Sequence, residues 1–200
     1  FDAVKIDAVY SSDLFRARTT ARAIYEPKGL ELHLEPAFRE IHMGCWEGHT
    51  WQELTTAYPE QMFYFNRRLD KFHVAGSETA QQVLNRYIPA LKRVAAENDG
   101  KTIAVFSHGA AMRMVLGTLN GLPLSEVGET PHGDNTAVSL LEIDGDEIRV
   151  VYMNDNSHQV EAGLSTFAKQ TWWRDKRMMS GGQYYKDMDE ATAVRFGVPE

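Results

Sequence analysis

Two places in the chain put a short polar turn between an apolar, strand-like run and a helix-like run. The first is Tyr10-Ser11-Ser12 and the second is Phe106-Ser107-His108-Gly109. In an open parallel sheet the carboxyl ends of the strands share one edge, and ligands bind there. Helix N-termini at that edge also offer N–H groups to an anion. Arg16 falls in the first turn of one predicted helix and His108 just ahead of the other. Together they would form a compact positive pocket suited to phosphate or carboxylate. Each has a plainer structural reading. An arginine in a first helical turn is commonly a solvated surface charge, though it opposes the helix dipole there unless an anion is present. A histidine between a buried strand and a glycine is harder to set aside, because loops at strand ends carry function.

Glu40 lies in Phe38-Arg39-Glu40-Ile41-His42-Met43-Gly44-Cys45-Trp46-Glu47-Gly48. A carboxyl among aromatic and apolar neighbours can have its pKa raised and act as a general acid. The alternative is an ion pair with Arg39 or another surface group. His42, Cys45 and His49 are spaced loosely like metal ligands, but no fourth ligand completes a zinc pattern. We expect no metal. No P-loop, G-x-S-x-G elbow or G-x-G-x-x-G is present.

The elements that must position these groups follow from periodicity and turn residues. Residues 6–10 read as a strand, with Ser12 as the N-cap of a helix that Pro27 and Gly29 stop. Residues 30–34 alternate like a second strand. Residues 36–77 are irregular and aromatic-rich, with helical pieces at 50–58 and 59–69. Such a stretch is read either as a lid or specificity insertion or as a satellite core on Trp46, Trp51, Phe63 and Phe65. Residues 77–97 form the clearest helix, capped by Ser77 and kinked or broken at Pro89. Residues 102–106 are a buried-type strand leading into a helix over 110–119. The runs 137–143 and 147–153 flank Asp144-Gly145, a hairpin signal. Beyond 155 the chain turns polar, with a helix expected at 167–174 and an exposed tail at 187–196. Strand–helix units followed by a hairpin predict an α/β fold, mostly parallel with an antiparallel edge.

Composition narrows the function. The chain has 200 residues, 43% of them hydrophobic and 24% charged, which fits one folded domain. The net charge is −7, and no strong block of lysine and arginine is present, so no nucleic-acid partner is expected. No apolar run approaches the roughly 20 residues that span a bilayer, so no membrane partner is expected either. No signal peptide is visible, and a single cysteine, Cys45, excludes an internal disulfide. The expected setting is the cytoplasm.

Taken together, the segments resemble a known family. Ser11-Ser12-Asp13-Leu14-Phe15-Arg16-Ala17-Arg18-Thr19-Thr20-Ala21 is similar to the second signature of the histidine phosphatase superfamily, the phosphoglycerate mutase-like fold. The 39–48 segment looks like its acid-bearing loop, which ends in Trp-Glu-Gly. Ser107-His108-Gly109 looks like its third signature, and Asn135-Thr136-Ala137-Val138 like the strand that follows. The resemblance runs over about residues 5–155. It implies a three-layer fold and phosphate-clamping by Arg16. It also implies proton donation by Glu40 and bonding of the phosphoryl oxygens by His108. Gly109, His42, Trp46 and Asn135 join the expected phosphate and substrate contacts. The implied activity is metal- and cofactor-independent hydrolysis of a small phosphorylated metabolite through a phosphohistidine, by a protein that could pair as a homodimer. A mutase, or an inactive relative that binds a phosphorylated ligand or a protein partner, is the alternative.

The family's first signature, Arg-His-Gly, supplies the histidine that accepts the phosphoryl group, and it is not found in the 200 residues. The resemblance places it upstream of Phe1, on a strand lying between the 102–106 strand and the hairpin. We therefore expect that slot to be filled by a further segment, or by residues drawn from elsewhere in the chain. The expected division is a core over 1–155, with 43–76 as a lid or specificity insertion, and an extension over 156–200.

Overall fold

The computed structural model describes residues 1–164. The first strand, β1 (Ala8–Ser11), pairs in parallel on one side with β2 (Leu32–Leu34) and on the other with β3 (Ile103–Phe106). Alternation along these strands divides the apolar residues between the two faces of the sheet. Val9, Leu32, Ala104 and Phe106 face a small cluster with Ile6 and Ala21. Tyr10, Ile103 and Val105 pack instead against the main core. Helix α1 (Phe15–Lys28) contributes Ala21, Ile24 and Tyr25 to the first face. Helices α4 (Ala80–Glu97) and α5 (Gly109–Leu119) cover the second. This is the expected layered α/β arrangement.

Strands β4 (Val138–Asp144) and β5 (Glu147–Asp155) make the expected hairpin, turning through Gly145 at φ +56°. The hairpin is a separate antiparallel sheet and does not pair with β3. Its Leu141, Ile143 and Ile148 pack on the main core. Among the described residues no strand pairs with the second edge of β3, so the segment expected between β3 and the hairpin is not among them.

Residues 43–76 pack into the body of the protein. They hold α2 (Trp51–Ala57) and α3 (Pro59–Arg67), and Trp46, Leu54, Met62, Leu69 and Phe72 share one continuous core with Val83, Leu91 and Met114. The two ends of the segment are tied together. Met43 bridges Ser77, and the Cys45 N–H donates to the Ala75 carbonyl at 2.8 Å. Gly44, at φ +57°, is required in this junction, because a Cβ there would lie 2.3 Å from the Ala75 oxygen.

Several local expectations need correction. Leu14, not Ser12, holds the N-cap position of α1; Ser12 instead accepts the Leu14 N–H at 3.3 Å. Ser77 does not cap α4; Thr79 does, in a reciprocal capping box with Gln82. Pro89 lies inside α4 without ending it, and Pro27 lies inside α1, which stops at Gly29 in a left-handed conformation. Helix α6 (Ser157–Glu161) is fastened to the turn before β4, where buried Gln159 donates to Thr136 Oγ1 and to the Asn135 carbonyl. The helix and tail expected at 167–174 and 187–196 lie outside the described residues.

Candidate active site

The carboxyl ends of β1 and β3 bring the two polar turns together. The Ser12 N–H donates to the Phe106 carbonyl at 2.8 Å, closing one turn on the other. Arg16, in the first turn of α1, then meets His108, the N-cap residue of α5. The Arg16 Nε donates to His108 Nδ1 at 3.1 Å, and His108 Nε2 lies 2.9 Å from Ser12 Oγ. An acceptor at Nδ1 requires the hydrogen to be on Nε2, so this is a neutral imidazole donating to Ser12. Burial and then the Arg16 charge push its pKa down to about 4. Both ring nitrogens are thus engaged by protein groups, which makes His108 a rest for the Arg16 guanidinium.

Glu40 enters the same site from the opposite side. Its Oε1 accepts from the Ala111 N–H at 2.7 Å and the Ile41 N–H at 3.0 Å, and its Oε2 accepts from the Ala110 N–H at 3.0 Å. The carboxylate therefore occupies the N-terminus of α5, the position an external anion was expected to take. This corrects the apolar setting expected for Glu40: it is held by three backbone donors. It is not paired with Arg39, which instead binds both oxygens of Asp13. Of the four lone-pair positions on the carboxylate, these bonds leave one, on Oε2. A proton delivered by Glu40 would leave from there.

An open cleft of about 540 Å³ runs beside these groups, lined among others by Arg16, Arg39, Glu40, His42, Glu47 and Arg86. Of the residues singled out in the sequence, Arg16, Glu40 and His42 line this one cleft. Trp46 does not belong to it. It is 2% exposed and packs edge-on against Phe65 and Phe72, within the main core rather than a satellite one. Asn135 is exposed in the turn before β4 and does not line the cleft. Gly109 begins α5 directly after His108. The His42 ring is turned to the backbone of Gly76 and Gly44, and His49 to Glu53. Among the described residues no group of three His, Cys, Asp or Glu side chains is placed to hold a metal ion.

Two residues at the site were missed. Arg86, on α4, donates to the carbonyls of Ala37, Arg39 and Glu40 at 2.7, 2.9 and 3.0 Å and to both oxygens of Glu78. Glu78 accepts the His42 N–H at 2.9 Å. Burial alone would raise the Glu78 pKa, but Arg86 and the His42 N–H outweigh it and hold the carboxyl below its usual range. Ser107 adds a bond from its Oγ to the Phe38 carbonyl at 2.9 Å.

Residues 1–156 match the histidine phosphatase superfamily, branch 1. The chain belongs to that superfamily. This histidine phosphatase chain is 30% identical over 153 residues to phosphoserine phosphatase 1 of Hydrogenobacter thermophilus, covering 76% of the chain and 72% of the relative. It is 32% identical over 163 residues to phosphoglycerate mutase-like protein 4 of Arabidopsis thaliana, covering 80% and 69%. Its fold superposes on Bacillus stearothermophilus YhfR with a TM-score of 0.74 at 26% identity, over 78% of each chain. The phosphoglycerate mutase-like α/β architecture expected for this histidine phosphatase is therefore established. No helix among its described residues is long and apolar enough to cross a membrane.

Proposed function

We propose that this chain carries the phosphate clamp and the acid of a phosphatase acting on small phosphate monoesters. The carrying observation is that Arg16, His108 and Glu40, drawn from three separate segments, meet at the carboxyl edge of the sheet. Relatives named as phosphoserine phosphatases, one of them described as metal-independent, support this reading. The Arg16 Nε is spent on His108, so its two Nη groups are the donors for a phosphoryl group. His108 would reach a phosphoryl oxygen by moving its Nε2–H from Ser12 to the substrate. As the P–O bond breaks, Glu40 passes a proton from Oε2 to the leaving oxygen, releasing an alcohol.

The phosphoryl acceptor in this reading is the histidine of the family's first signature, which the resemblance sets ahead of Phe1. Water then cleaves the P–N bond, with Glu40 taking the proton. The clamp neutralises charge through guanidinium and imidazole donors, so no metal is needed for the transfer. A cytoplasmic setting accompanies this reading, as does a specificity role for 43–76.

The test is turnover by the full-length protein of a panel of phosphorylated metabolites, with product analysis and acid-quench trapping. Release of inorganic phosphate and an acid-labile phosphoenzyme are expected. Return of the phosphoryl group to a second hydroxyl would mark a mutase. Binding of phosphorylated ligands without turnover would mark a binding module.

A further inference from the structure

Glu40 is a short-reach acid on an irregular segment, and an acid must be held within a fraction of an ångström of its leaving oxygen to be effective. Beside the Ser107 bond to the Phe38 carbonyl, one side chain on another element makes several bonds to this segment. Arg86 gathers the carbonyls of Ala37, Arg39 and Glu40, and grips Glu78 with two parallel bonds of 2.8 and 2.9 Å. Glu78 then fixes the far side of the acid. It accepts the His42 N–H, while its own N–H donates to the His42 carbonyl at 2.9 Å. Every backbone partner of this pair therefore lies within three residues of Glu40, on both sides of it. The two side chains are only 22% and 25% exposed. A lysine at position 86 could keep the charge but not the planar fork that serves three carbonyls and a carboxylate at once.

We infer that the Arg86–Glu78 pair is the positioning device for the acid, setting where the Glu40 carboxylate stands over the N-terminus of α5. The pair itself touches no reacting atom; its effect passes through Glu40. This inference rests on the phosphatase reading for its kinetic part only, because the same placement governs the bonds from Ala110 and Ala111 to Glu40.

The experiment compares wild type, Arg86→Lys, Glu40→Gln and the double variant in the full-length protein. Turnover is read on glycerol phosphate and on p-nitrophenyl phosphate, and amide hydrogen exchange is read at Ala110 and Ala111. A displaced acid hurts only a leaving group that needs its proton. Arg86→Lys should lose about ten- to a hundredfold on glycerol phosphate and less than about threefold on the nitrophenyl ester. In the Glu40→Gln background it should add no further loss on glycerol phosphate. Exchange at Ala110 and Ala111 should quicken with no change at the α5 interior. Equal losses on both esters, additivity with Glu40→Gln, or wild-type exchange at the two amides would overturn the inference. Should wild type turn over neither ester, the phosphatase reading fails and the exchange result alone decides the positioning role. Should Arg86→Lys not fold, Glu78→Gln, which leaves the carbonyl bonds in place, is read by the same measurements and criteria.

Discussion

The guanidinium of Arg16 rests on the imidazole of His108, Nε to Nδ1 at 3.1 Å, although 92 positions separate them in the chain. Resting there fixes one edge of the guanidinium and turns the other toward the cleft. Arg16 is otherwise exposed and lies at the positive end of α1, so it contributes little to the fold.

Replacing Arg16 with lysine should therefore separate function from stability. A lysine offers one point charge and cannot both bond Nδ1 and present two parallel donors. We expect kcat/KM to fall about a hundredfold or more, with the unfolding free energy within about ±0.5 kcal/mol of wild type. Near-normal turnover in the purified variant would remove Arg16 from the clamp.

His108 supplies a pH signature. Its pKa is about 4 in the folded protein and about 6.5 in an unfolded chain. Between those values the unfolded state binds more protons, so this group's contribution to stability is full above pH 6.5 and is lost as pH falls toward 4. Urea unfolding of wild type and His108→Gln at pH 7.5 and pH 4.5 isolates that contribution. The advantage of wild type over the variant should shrink at the lower pH. An advantage that grows on acidification would mean a charged imidazole in the native state.

Glu40 has two duties, and substitution should expose both. Glu40→Gln should lose far more rate on sugar-type phosphates than on a nitrophenyl ester, which leaves without a proton. Glu40→Ala should also destabilise the fold by about 0.5–2 kcal/mol, as losing a helix cap does, because Ala110 and Ala111 lose their acceptor. Thermal melting of the alanine variant at wild-type temperature would refute the capping duty.

Gly44 makes a structural prediction at the base of the 43–76 segment. In Gly44→Ala the new Cβ meets the Ala75 oxygen at 2.3 Å and the Ser77 nitrogen at 2.4 Å. Backbone, not a flexible side chain, must move, and φ +57° adds its own strain. We expect a loss of about 1–3 kcal/mol, measured by chemical denaturation. A neutral substitution would show that the junction is looser than its bonds imply.

Chelation should leave turnover unchanged. His42, Cys45 and His49 do not converge, and the cleft offers guanidinium groups where a metal would otherwise balance phosphate charge. Loss of activity in EDTA with recovery on adding zinc would reverse that conclusion.

The sequence made the meeting of Arg16 and His108 legible because parallel strands end on one edge, so two similar strand-to-helix turns had to be neighbours. The core helices were legible from periodicity. Ser77 is the first capping-type residue before the periodic run, but Thr79-x-x-Gln82 carries the capping-box spacing, and that spacing decides the cap. Glu40 as a cap on α5 was not legible, since a carboxylate 70 positions away leaves no local mark on the helix it terminates. Arg86 was hidden for a related reason: three of its partners are backbone carbonyls, which every residue possesses and no sequence pattern displays. The separation of the hairpin from β3 belongs to the same class, because edge pairing depends on residues far apart in the chain.

That Glu40 serves the helix as well as the leaving group bears on how relatives should be sorted into active and inactive. A lineage released from selection for catalysis would still be penalised for discarding this carboxylate, since α5 would fray without it. Arg16 enjoys no such protection, being exposed and set against the dipole of its own helix. Among descendants that have drifted into other work, the arginine should disappear first and the glutamate linger. Retention of the acid is then weak testimony to turnover, and retention of the arginine is strong.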